Sequence, residues 1–71
     1  LGAEALKVIG DAIERLPPSQ RAVITLRDIQ GWSAEEVRNA LELSETNERV
    51  LLHRARTKVR AALEEYLMED A

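Results

Sequence analysis

The sequence predicts an all-α fold, a small domain of four helices, and three observations carry that expectation. Apolar residues recur at spacings of three and four along most of the chain. Short punctuations of Pro, Gly and Ser divide that pattern into consecutive segments. The composition is 45% hydrophobic and 32% charged, rich in Leu, Ala, Glu and Arg, with only Trp32 and Tyr66 as aromatics, which suits helices rather than strands or a disordered chain. With 71 residues there is room for one core, so the chain reads as a single domain over 1–71. That size excludes most enzymes that need a large preformed pocket.

The first helix is expected from about Ala3 to Arg15, where Leu6, Ile9, Ala12, Ile13 and Leu16 form one apolar stripe and Glu4, Lys7, Asp11 and Glu14 fall mostly outside it. Leu16-Pro17-Pro18 ends it, because the first proline biases Leu16 away from the helical region and the second suits the first turn of a new helix. The second helix is expected from about Ser19 to Ile29, with Ala22, Val23, Leu26 and Ile29 inward. In the next break, Gln30-Gly31-Trp32-Ser33, Gly31 can close a helix in the left-handed conformation and Ser33 can cap the following one. Glu36 stands at capping-box spacing from Ser33, which predicts a third helix from Ala34 to about Leu41 with Val37, Ala40 and Leu41 inward. After Glu42-Leu43, Ser44 is again of N-cap type and opens a long pattern to about Met68, carried by Leu52, Ala55, Val59, Ala62, Leu63 and Tyr66.

There are no cysteines and a single histidine, so neither a disulfide framework nor a Cys/His zinc site is expected, and no metal or cofactor. Apolar runs are only a few residues long and the start lacks a basic region followed by an apolar core. Membrane insertion and a signal peptide are therefore not expected, and the cytoplasm is the expected location. The net charge of −3 argues on average against nucleic acid, but the layout does not. From Arg49 to Arg60 the chain carries Arg49, Arg54, Arg56, Lys58 and Arg60 with no acid, while Glu42, Glu45 and Glu48 precede and Glu64, Glu65, Glu69 and Asp70 follow.

A short helix, a tight turn holding one apolar residue, and a longer helix with basic and amide side chains on its first turns make a helix-turn-helix over about 34–68. This is the winged-helix-like class of DNA-binding domain, here without a wing. The major groove admits one helix, and its first exposed turns reach base edges. Those turns offer Thr46, Asn47, Arg49, Val50, His53 and Arg54. Asn and Arg suit bidentate bonding to adenine and guanine, Val suits a thymine methyl, and Arg54 and Arg56 also suit phosphates. Against this, charge on a helix is usually a solvated face. The acid-free run is the more telling feature. His53 reads as a polar contact or surface residue rather than a ligand or general base, and Trp32 as a structural lid over the helix junction.

The string Leu16-Pro17-Pro18-Ser19-Gln20-Arg21-Ala22-Val23-Ile24-Thr25-Leu26-Arg27-Asp28, followed by Gly31-Trp32-Ser33-Ala34-Glu35-Glu36-Val37, resembles region 4 of bacterial sigma factors of the extracytoplasmic function group. So does Leu43-Ser44-Glu45-Thr46-Asn47 with Arg49-Val50-Leu51-Leu52-His53-Arg54-Ala55-Arg56. The resemblance covers roughly Ile13 to Leu63. It implies a fragment of a longer sigma factor that recognises the upstream, minus-thirty-five promoter element through its last helix and contacts the flap of the RNA polymerase β subunit. By the same resemblance Asn47, Arg49, Val50, His53 and Arg54 face bases or nearby phosphates, Arg56 contacts the backbone, and catalysis belongs to the polymerase. An anti-sigma factor covering the apolar and basic faces is a further partner of the kind the family has. Two alternatives fit the same pattern: an output domain of response-regulator type, which shares the four-helix plan, and a helical protein-interaction module with solvated arginines. Three residues depart from the family pattern. Arg38 stands where a small residue is common and must extend outward, Glu42 takes a turn position that favours Gly, and Glu48 falls on the inner side of the last helix, with Arg49, Arg38 or solvent as candidate partners.

Overall fold

A computed structural model describes residues 2–70, Asp70 in its backbone only. Leu1 and Ala71, the ends of the expected 1–71 domain, and the Asp70 side chain lie outside the described residues. The four expected helices are α1 (Ala3–Glu14), α2 (Pro18–Ile24), which continues into a π-helical turn (Thr25–Ile29), α3 (Ala34–Leu41) and α4 (Glu45–Asp70). Pro18 occupies the first turn of α2 directly behind Pro17, where a missing N–H costs nothing.

The second helix departs from expectation at its end. The Gln30 N–H reaches back five residues to the Thr25 carbonyl (2.9 Å), and the Trp32 N–H reaches six, to Leu26 (2.9 Å). One extra residue per turn moves everything after Ile24 out of the α-helical register. Ile29, expected inward, is 61% exposed as a result, while Ile24 is buried beside Val23. Two other expected core residues also face outward. Leu6 is exposed because α1 presents Ala5, Ile9, Ala12 and Ile13 to the core, and Ala40 because Ala34, Val37 and Leu41 form the inner face of α3.

The core gathers Ile13, Leu16, Val23, Ile24, Val37, Leu52 and Ala55, with Trp32, Leu43 and Val59 packed against it. Val23 and Val37 are fully enclosed. All of this is assembled on α4, whose 26 residues span about 39 Å and account for the 41 Å long axis of the molecule. Its first half receives α2 and α3. Along its second half lies α1, with the Tyr66 hydroxyl 3.1 Å from Glu4 Oε2.

Candidate nucleic-acid interface

Two junctions set the direction of α4. In the first, Gly31 adopts φ 76° and Ser33 caps α3 in a complete capping box: the Glu36 N–H donates to Ser33 Oγ (3.1 Å) and the Ser33 N–H to Glu36 Oε1 (2.9 Å). In the second, Glu42 itself adopts the left-handed conformation, φ 56°. The Leu43 N–H then bonds the Arg38 carbonyl (2.9 Å), the six-residue closure of a Schellman motif, and Leu43 packs on the core. Ser44 caps α4 by accepting the Asn47 N–H at 3.0 Å. The turn thus forms with a residue that favours it poorly.

Along α4, Glu48, Leu52 and Ala55 are buried and Val59 packs on the core behind them. At roughly 100° per residue, that register sends Thr46, Asn47, Arg49, Val50, His53 and Arg54 to the opposite side, within an arc of about 160°. All six are exposed. Among the described residues no ion pair holds Arg49 or Arg54. His53 lies on the surface, and its carbonyl accepts the Thr57 hydroxyl (2.9 Å). Arg56 sits at the edge of this face and is engaged within the chain: Nε and Nη2 donate to the two oxygens of Asp28 at 2.8 and 2.6 Å. The Arg56 guanidinium holds the Asp28 carboxyl below the ordinary carboxylate value, and Asp28 in turn raises Arg56.

The three departures from the family pattern each find a local solution. Arg38 extends toward Glu45 on the first turn of α4 (3.5 Å). Glu42 supplies the left-handed residue. Glu48, only 3% exposed, is bonded by Arg27 Nη1 from the π-helical turn, not by Arg49 or Arg38. Arg27 and Asp28 are therefore two positions that sequence reasoning missed. An inward Glu48 signals that a cation must meet it, but nothing in an α-helical reading of residues 19–29 points to residue 27.

Among the described residues no cluster of His, Cys, Asp or Glu is arranged to hold a metal ion, and no helix is long and apolar enough to cross a membrane. Fold and exposed face together define a helix-turn-helix domain of the DNA-binding kind. A family model described as sigma-70, region 4 matches residues 6–59, and the chain belongs to that family. It is 39% identical over 70 residues to the ECF RNA polymerase sigma factor SigX of Bacillus subtilis, covering 94% of this chain and 36% of that protein. Over 48 residues it is 42% identical to the ECF RNA polymerase sigma factor SigG of Mycobacterium tuberculosis, covering 68% of this chain and 13% of that protein. The chain thus spans about a third or less of the length of the curated relatives it matches.

Proposed function

We propose that the chain is the region 4 module of a longer sigma factor and recognises the minus-thirty-five promoter element during transcription initiation. The observation that carries this reading is the outward face of α4, where amide, basic and small apolar side chains stand together on the turns just after a capped helix start. The Ser44–Arg56 segment enters the major groove. Thr46, Asn47, Arg49, Val50, His53 and Arg54 meet base edges or adjoining phosphates, with Arg56 at the border of the contact. The domain performs no chemical step itself. It works in the cytoplasm with RNA polymerase, docked on the flap of the β subunit, and an anti-sigma factor is the kind of partner that would cover the same surfaces. Because the domain is small and acidic overall, its affinity for DNA alone is weak, and attachment to polymerase supplies effective concentration.

The test is enrichment of a randomised DNA pool on the chain, fused back to its polymerase-binding context, at two salt concentrations, followed by Arg54→Ala on the enriched site. A short enriched motif with steep salt dependence is expected, and Arg54→Ala should cost about 1–3 kcal/mol and relax preference at one position. A uniform loss across sequences with a shallower salt slope would reassign Arg54 to phosphate. Unchanged affinity would remove it from the interface.

A further inference from the structure

Arg49, Arg56 and Arg60 lie at spacings of seven and four, so they line one edge of α4. Such an edge beside a helix seated in the major groove faces the phosphate backbone, and three cations there would bind any sequence alike. The middle member is not at liberty. Asp28 reaches it from the π-helical turn with both carboxylate oxygens, and the pair is surface-placed, with Arg56 47% and Asp28 35% exposed in their side chains. A guanidinium already neutralised by a carboxylate displaces none of the cations condensed on the DNA, and the carboxylate repels an approaching phosphate.

Resting on the DNA-binding reading of this face, we propose that Asp28 sets the sequence-independent part of DNA affinity: by clasping Arg56 it withholds one cation from the phosphate backbone and keeps that affinity low. Asp28 touches no base. It acts through Arg56.

The experiment is a double-mutant cycle on the 71-residue chain, wild type, Asp28→Ala, Arg56→Ala and the pair, binding a random-sequence duplex by fluorescence anisotropy from about 50 to 200 mM salt. Circular dichroism verifies the fold of each variant, and Asp28→Asn, which keeps the shape without the charge, replaces Asp28→Ala should the latter unfold. Asp28→Ala is expected to bind more tightly, with a log–log salt slope steeper by about 0.9, or roughly 3.5-fold more affinity lost across that fourfold salt range. The gain from Asp28→Ala should be smaller in the Arg56→Ala background, where only the carboxylate's own repulsion is relieved. An unchanged or shallower slope in Asp28→Ala would mean that Asp28 aims Arg56 at phosphate instead, and an equal gain in the Arg56→Ala background would mean that Arg56 is not the residue withheld. Either result overturns the proposal while wild-type binding remains salt-dependent. Absence of salt-dependent binding in every variant at chain concentrations up to about 1 mM, above ordinary non-specific dissociation constants, sinks the interface reading along with it.

Discussion

The two junctions that frame α3 are the same device built to different standards. Each runs a positive-φ residue, an apolar residue whose N–H reaches back into the preceding helix, and a capping serine: Gly31-Trp32-Ser33 and Glu42-Leu43-Ser44. The first uses glycine for the left-handed position and closes its cap reciprocally with Glu36. The second forces Glu42 into that position, and the residue at the capping-box place is Asn47, not an acid. A carboxylate there would sit on the exposed face of α4 beside Arg49 and Val50, the face proposed to meet DNA. The weaker junction is the one that opens onto the proposed interface, and its capping-box place adds no acid to Glu45 and Glu48 on the first turn of α4.

What ties the junctions together is the pair between Arg27, upstream of the first, and Glu48, downstream of the second. Removing Arg27, itself partly exposed, strands the buried Glu48 carboxylate, so Arg27→Ala should lower stability by about 3 kcal/mol. A domain of this size has only about 4–10 kcal/mol in all, and a urea titration should show a large fall in midpoint. Arg27→Met with Glu48→Leu removes both charges and should recover most of the loss. Failure of that double variant to recover would show that shape, not the stranded carboxylate, is what Arg27 supplies.

The junctions themselves predict effects of opposite sign. Gly31→Ala places a Cβ on a residue at φ 76° and should cost about 1–2 kcal/mol, although open space surrounds the new atom. Glu42→Gly relieves the corresponding strain at φ 56° and, after the entropy that glycine loses on folding, should gain about 0.5–1 kcal/mol. Thermal unfolding of the two variants measures both. A loss in Glu42→Gly would mean that the Glu42 side chain contributes more than its backbone conformation takes away.

Both junctions were readable in the sequence because their signals are local: Gly31, the Ser33–Glu36 spacing and Ser44 each act within four residues. The outward face of α4 was readable for a related reason, since Leu52, Ala55 and Val59 fix its rotation. The π-helical turn was not. Ala22, Val23, Leu26 and Ile29 fit a 3.6-residue period, so the pattern continued an α-helix through residues where the chain widens by one. That single residue swings Ile29 into solvent and leaves Arg27 and Asp28 facing α4. The inward register of Glu48 was visible, yet its partner lay 21 residues away, and the Asp28–Arg56 clasp spans 28. Long-range pairs of charges carry no periodicity, which is why neither Arg27–Glu48 nor Asp28–Arg56 was legible while the exposed face of α4 was.

The smallest expected effect separates the junctions by pH. The Glu36 carboxyl is held below its ordinary 4.5, first by the bond it accepts from the Ser33 N–H and then by the Ser33 side chain. A carboxylate depressed in the folded state contributes stability that is present above its unfolded value and is lost as pH falls through the folded one. The first junction therefore loosens in acid, below pH 4.5, whereas the Ser44 cap bonds Asn47 through a hydroxyl that does not titrate there. In an NMR titration the Ser33 amide should shift with a midpoint below 4.5, with a much smaller acid shift at Asn47. Asp28, depressed by Arg56, loses its contribution in the same direction, so the acid range also releases the clasp at the edge of α4. A Glu36 midpoint at or above 4.5 would mean that its capping bond does not persist in solution, and the two junctions would then differ only in the residue that takes the left-handed turn.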